Sequence, residues 1–308
     1  MVSMTQGMGQ KNSAHPRGFA NWLQLCTRWL GHDSVVGMER SAEELAQTAR
    51  LEDFYMLSRS PVIQNVTDQV YGCGYIGHSY TTRSEADEII AELGLNADSA
   101  LLDLGAGAGW PGLYFAKKSG CTVTLLDLPE AGLLIARERA IEDGMASRVK
   151  TVQGDATNIP FDAGSFSNIT HSDVLCCLLS KKRVLKECRR VILDTGRMAF
   201  SVIDAAPNLS KPGRAKALDA GPEFMDSRQP YSSMLSETGW RVVSQTDLTA
   251  ELELAYTAMI NAERSNEAEL RRLGGDDYYD DGQTNWVKKL SAVREGLIRR
   301  DLYIVAPA

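Results

Sequence analysis

The chain lacks any long apolar run. None of its hydrophobic stretches approaches the ~18 residues that a membrane-crossing helix needs, so no membrane partner is expected. It also lacks a Cys-x-x-Cys pair. Its six cysteines, Cys26, Cys73, Cys121, Cys176, Cys177 and Cys188, show no zinc or iron–sulfur spacing, and no metal is expected. No basic block stands out, and the net charge of −7 argues against a nucleic-acid partner. The N-terminus, MVSMTQGMGQKNSAHPRGF, has no apolar core of the kind a secretory signal carries. The expectation is a cytoplasmic protein with reduced thiols and a small-molecule substrate. The oligomeric state stays open.

What the chain does have is a change of pattern near residue 98. Before it, residues 19–60 carry helical periodicity, as in Trp22, Leu23, Leu25, Cys26, Trp29 and Leu30. Ser41 followed by Glu44 fits a capping box that opens a helix. A glycine-aromatic segment, VYGCGYIGHSYTT, reads as a loop, and Ser84 as the cap of a helix running to about Leu93. From about residue 100, short apolar strands alternate with helices: ALLDL, WPGLYFAKKSG, CTVTLLD, PEAGLLIARERAIEDGM, RVKTVQGD, SFSNITHSD, KKRVLKECRRVI and RMAFSVI. That alternation predicts an α/β fold, a parallel sheet with helices on both faces. Residues 1–97 then form an N-terminal helical or lid region and residues 98–308 the main domain. Within it, 204–299 is expected to supply cap elements over a substrate. That stretch looks mostly helical after 249, interrupted by an acidic turn, GGDDYYDDGQ, before a last strand, DLYIVA.

The stretch LLDLGAGAGWPG, residues 101–112, holds two overlapping patterns. Gly105, Gly107 and Gly109 make GxGxG. Gly107, Gly109 and Gly112 make GxGxxG, the pattern of a dinucleotide turn. Ligands of open α/β sheets lie at the carboxyl ends of the strands, and there the first three strands end in Asp103, Asp127 and Asp155. Carboxylates suit a ligand of donors and cations. S-adenosyl-L-methionine is one: it carries an ammonium, a sulfonium, a ribose diol and an adenine amine. Asp103 would hold the ammonium, Asp127 the ribose hydroxyls and Asp155 the adenine amine. Gly105, Gly107 and Gly109 would let backbone pass under the methionine part. Ala106, Leu128, Ala156 and Ser172 neighbour these positions and complete the expected cofactor site. GxGxG begins flush with the strand end, which leaves Gly112 as a packing glycine behind Pro111.

These residues resemble those of the class I S-adenosyl-L-methionine-dependent methyltransferases, in particular the small-molecule "type 11" group. The resemblance covers about residues 98–205 and rests on LLDLGAGAGWPGLYFA, VTLLDLP, GDATNIPFDAGSFSNITHSDVL and RVILDTGRMAFS. It implies a Rossmann-like sheet of seven strands, mostly parallel, with an antiparallel last strand. It also implies methyl transfer to an oxygen, nitrogen or carbon atom of a small metabolite. Asp194-Thr195-Gly196 departs from the Lys-Pro-Gly usual before strand five. The rival readings are an NAD(P)-binding oxidoreductase, favoured by GxGxxG, and a non-catalytic module that binds the same cofactor.

Candidates for catalysis are His171 and Asp173, in the loop that ends strand four, and His78. Tyr71, Tyr75, Tyr80 and Cys176 are candidates for the substrate pocket. Tyr71, Tyr75, His78 and Tyr80 belong to the glycine-aromatic loop, expected to act as a lid. The Cys176–Cys177 pair reads mainly as small apolar packing. Trp110 would either lie along the methionine tail or pack behind the glycine turn.

Overall fold

In the computed structural model, residues 40–75 and 79–308 are described. The expected helix in the region 19–39, the polar N-terminus and His78 lie outside them. Helix α1, Ala42–Leu57, opens on the expected capping box. Glu44 N–H donates to Ser41 Oγ at 3.2 Å, and Ser41 N–H donates to the Glu44 carboxylate at 3.0 Å. Helix α2, Pro61–Tyr71, ends on Gly72 in a left-handed conformation. Helix α3, Arg83–Leu93, starts two residues earlier than Ser84 suggests. Its cap is Thr82, because Glu85 stands three residues later and completes the reciprocal box, which Ser84 lacks.

The alternating region follows: β1 Ala100–Leu104, α4 Gly112–Ser119, β2 Thr122–Asp127, α5 Glu130–Glu142, β3 Val149–Gln153 and β4 Phe166–Ser172. After a short 3-10 turn, Leu175–Cys177, come α6 Lys181–Val191 and β5 Ile192–Ala205. Then follow α7 Lys211–Ala220, α8 Tyr231–Glu237, β6 Trp240–Asp247, α9 Thr249–Ser265, α10 Glu267–Gly274, α11 Asp276–Arg294 and β7 Ile298–Pro307.

Two expectations change. The acidic stretch after Gly275 is the first half of α11, not a turn. Asp276 and Asp277 favour a helix start, where the exposed N–H groups attract negative charge, and Arg271 neutralises Asp276 and Asp280. The break shrinks to Gly274–Gly275, with Gly275 at φ 91°. The Asp194-Thr195-Gly196 segment is drawn into β5 as an irregularity: Phe166 pairs with Ile192, yet Asn168 pairs with Arg197. Gly196 is required there, since a Cβ would lie 2.5 Å from the Ser167 carbonyl oxygen.

The sheet has seven strands in the order β3-β2-β1-β4-β5-β7-β6, with β7 antiparallel to both neighbours. From β1 the chain winds outward through β2 and β3, then returns to β4 beside β1. That reversal opens a crevice at the carboxyl ends of β1 and β4. The alternation of β1 sorts its side chains: Leu102 and Leu104 join a core with Phe200 and Trp240, while Leu101 joins the opposite one with Leu113 and Leu125. Asp103 shares the Leu101 face and so meets the start of α4. A Cβ on Gly112 would lie 2.5 Å from both Asp103 Oδ2 and Leu125 Cδ2, which makes Gly112 the packing glycine expected from sequence. Gly112→Ala should cost about 1–3 kcal/mol through overpacking. Chemical denaturation checks this, and an unchanged midpoint would show that the α4–β1 contact has slack.

Candidate functional site

The crevice opens into a cavity of about 600 Å3. Its floor begins where β1 ends. Gly105 and Gly107 both hold positive φ, 62° and 50°. A Cβ at Gly105 would strike Val174, and one at Gly107 would overlap the Tyr55 hydroxyl. Gly107 N–H donates to Asp127 Oδ2 at 2.6 Å, and Leu128 N–H donates to Asp127 Oδ1 at 2.7 Å. Asp127 thus clamps the glycine turn to the end of β2. Burial pushes its carboxyl up to about 6, against the pull of those two N–H donors.

Asp103 accepts from Thr170 Oγ1 at 2.7 Å through Oδ1. Its buried Oδ2 has no hydrogen-bond partner among the described residues. Burial raises this carboxyl to about 7, with the Thr170 hydroxyl and the Gly112 N–H opposing. Oδ2 thus faces the start of α4 without completing a full hydrogen bond there, and it keeps acceptor capacity to spare.

Beyond β4, Ser172, Asp173 and Val174 continue the floor. Asp173 has φ 57°, and its N–H donates to the Ser201 carbonyl at 3.0 Å. Its carboxylate meets Arg300, which is fully buried on β7. Arg300 Nε donates to Asp173 at 3.0 and 3.3 Å, Nη1 to Glu85 at 3.1 and 3.0 Å, and Nη2 to Thr81 Oγ1 at 3.3 Å and Ser201 Oγ at 3.2 Å. Burial opposes the guanidinium charge, but the two carboxylates outweigh it and hold the pKa above the usual arginine value. Burial also pushes Glu85 up, and Arg300 pulls the other way without cancelling it.

The roof comes from three places. Helix α1 presents Gln47, Thr48, Leu51, Phe54 and Tyr55, a helical stripe. The segment after α7, Gly221–Glu223, meets it through the Arg50–Glu223 ion pair. Helix α11 contributes Asn285 and Lys289. Tyr80 and the Cys176–Cys177 pair close the side, with Tyr80 set edge-on to Tyr256 at 5.2 Å.

Of the expected cofactor residues, the structure gathers Asp103, Gly105, Ala106, Gly107, Asp127, Leu128 and Ser172 around the cavity. Gly109, at φ 99°, faces Leu113 and Ala136 instead and serves the packing of α4 and α5. Asp155 and Ala156 stand outside the lining; Asp155 is paired with Arg40 at 2.9 Å.

His171 is not brought to the cavity. Its ring is buried and stacked on Phe200 at 4.7 Å, and burial drives its pKa down to about 3. Strand alternation explains this, since His171 points to the face opposite Thr170 and Ser172. The loop Gly72–Tyr75 does not cover the cavity either. Tyr75 stacks on Trp110 and donates its hydroxyl to Asp143, and Tyr71 lies in the same core. Ser79 and Tyr80 do reach the cavity, as do Asp173 and Cys176. Trp110 lines the cavity and is also packed, donating Nε1–H to the Thr81 carbonyl at 2.8 Å. Sequence reasoning missed α1 as the cover, although its stripe at 47, 48, 51, 54 and 55 was there to see. It also missed Arg300, which no local pattern marks.

Among the described residues no helix is long and apolar enough to cross a membrane, and no cluster of three His, Cys, Asp or Glu side chains is placed to hold a metal.

Residues 102–200 match the family described as "Methyltransferase domain". The chain is 26% identical over 198 residues to the glycine/sarcosine/dimethylglycine N-methyltransferase of Actinopolyspora halophila, covering 63% of this chain and 35% of that protein. It is 27% identical over 197 residues to the sarcosine/dimethylglycine N-methyltransferase of Halorhodospira halochloris, covering 63% and 71%. The chain thus spans about a third of the first relative's length. In fold it is similar to the crystal structure of a putative sarcosine dimethylglycine methyltransferase from Galdieria sulphuraria, with a TM-score of 0.65 at 19% identity over 72% of this chain and 82% of that one. The matched residues include the glycine turn.

Arg300→Met should destabilise the fold by about 3–5 kcal/mol, because it strands two buried carboxylates. Glu85, already raised, would rise further. A carboxyl whose folded pKa exceeds its unfolded pKa takes up protons on folding, so it adds stability as pH falls through the folded value. The variant's deficit, measured by urea unfolding, should therefore be smaller near about pH 5 than near about pH 7.5. A deficit that grows on acidification would contradict the ion cluster.

Proposed function

The chain belongs to the class I S-adenosyl-L-methionine-dependent methyltransferases, and from that premise we propose that it moves a methyl group to an oxygen, nitrogen or carbon atom of a small organic acceptor held in this cavity. The observation that carries the reading is the floor itself: an unsatisfied Asp103 Oδ2 beside a glycine turn clamped by Asp127. These residues fit the donor. A buried acceptor with capacity to spare suits an ammonium, a carboxylate at the end of β2 suits a ribose diol, and Gly105 and Gly107, both at positive φ, shape the backbone turn between them. When bound, the donor supplies an electrophilic methyl on a sulfonium.

The chain's own residues bind, orient and exclude water. Leu51, Phe54 and Tyr55 of α1 cover the turn, and Tyr80 offers its ring to a cationic centre. No described imidazole lines the cavity, and the Asp173 carboxylate is committed to Arg300. Positioning therefore carries the rate. An acceptor with a free lone pair needs no base, and the relatives named as N-methyltransferases support a nitrogen acceptor. In this reading residues 98–308 form the catalytic domain, the preceding helices form its cover, and the protein works in the cytoplasm without nucleic acid.

Incubating the protein with methyl-labelled donor and a metabolite extract tests the activity. A labelled small product is expected, and its absence together with absent donor binding would overturn the reading. Asp127→Ala should weaken donor binding by about 1.5–3 kcal/mol, roughly ten- to a hundredfold, through loss of charge-assisted hydrogen bonds. Because the Asp127 carboxyl sits at about 6, wild-type affinity should also fall as pH drops through that value. Calorimetry reads both, and unchanged affinity would remove Asp127 from the site.

A further inference from the structure

Helix α11 turns two side chains one turn apart toward the cavity, Asn285 and Lys289. Lys289 is half-buried, yet it makes no hydrogen bond or ion pair with any described residue. Its one specific contact among the described residues is the Trp286 ring, whose centroid lies 4.7 Å from the ammonium. Its neighbour Lys288 pairs with Asp219 at 3.4 Å, and Lys181, which also lies near Cys177, donates to the carbonyls of Leu178 and Phe224.

The acids around the cavity do not answer Lys289. Asp103 is bonded to Thr170, Asp127 holds the glycine turn, Asp173 holds Arg300, and Glu223 holds Arg50. The ionisable groups nearest Lys289 include the thiols of Cys176 and Cys177, and burial lowers its pKa from the usual lysine value. A partly desolvated ammonium without a counter-charge is unfavourable on its own. An anion arriving with a ligand removes that cost, which gives Lys289 differential affinity for charged over neutral ligands.

We propose that Lys289 determines acceptor specificity: its ammonium, with the Asn285 amide beside it, holds an anionic oxygen group of the acceptor, a carboxylate or a phosphate. This rests on the methyltransferase reading of the same cavity. The strand ends supply acceptors for a cationic donor on one side, and Lys289 supplies a cation on the other. An acceptor with a nucleophilic atom and an anionic end is thereby oriented along the cavity, its anion on α11 and its nucleophile toward the glycine turn.

The full-length protein, saturated with S-adenosylhomocysteine, is treated with limiting acetic anhydride, and Lys289 modification is read by peptide mass. Inorganic phosphate or acetate, at ionic strength matched with chloride, should slow acetylation of Lys289 severalfold. The stronger protector identifies the anion class, and no protection by either overturns the proposal. In the extract assay, the labelled product should carry a carboxylate or phosphate group, read by fragmentation mass spectrometry. Lys289→Gln should lower its formation at least tenfold with the S-adenosylhomocysteine Kd unchanged, and Lys289→Arg should restore most of it. A labelled product without a carboxylate or phosphate group, or full labelling by Lys289→Gln, overturns the proposal while leaving methyl transfer intact. Loss of S-adenosylhomocysteine binding by the wild type would instead overturn the parent reading.

Discussion

The Arg300 guanidinium is the constraint on which the cavity floor depends. Shut off from water, its N–H donors all have to be met by the protein, and the protein meets them with residues far apart in sequence. Thr81 and Glu85 come from the start of α3, Asp173 from the end of β4, Ser201 from β5, and Arg300 itself from the last strand. The cluster fixes Asp173 in a left-handed conformation at the rim of the floor and brings Tyr80 to its wall through the adjacent chain. Buried ion clusters are often no more stable than well-packed apolar side chains. The return here is position: one planar cation sets where four segments meet.

From that fixed floor the electrostatics of the cavity follow. The strand ends are acidic, with two carboxyls raised by burial and one oxygen unsatisfied. The α11 side carries an unanswered ammonium. A cationic donor and an acceptor with an anionic end satisfy both sides at once. Asp127 does not sit idle without ligand, since it already organises the turn that a donor would rest on.

Much of this was legible in the sequence, because strand alternation and the short spacing of Asp103, Gly105 and Gly107 are local. The capping box at Ser41, the order of strands and helices, and the packing role of Gly112 follow from neighbours a few residues apart. The failures share a cause. His171 looked like a strand-end base, but the two-residue period of β4 turns it into the core against Phe200. The segment VYGCGYIGHSYTT looked like a lid; among its described residues Tyr71 and Tyr75 pack in the core, where Trp110 offers Tyr75 a surface, while Ser79 and Tyr80 line the cavity. The acidic run at Asp276 looked like a turn, but Arg271 neutralises it within the helix pair. Arg300 and Lys289 were invisible, since each takes its meaning from partners, or the lack of them, contributed by other elements.

Hydrogen exchange with and without S-adenosylhomocysteine tests the central claim most directly. If α1 covers a donor seated on the glycine turn, ligand should slow exchange together in three separate segments: 47–55, 105–109 and 127–129. Exchange in 186–194, remote from the cavity, should not change. Protection absent from the glycine turn, or confined to segments away from the ends of β1 and β2, would contradict the account.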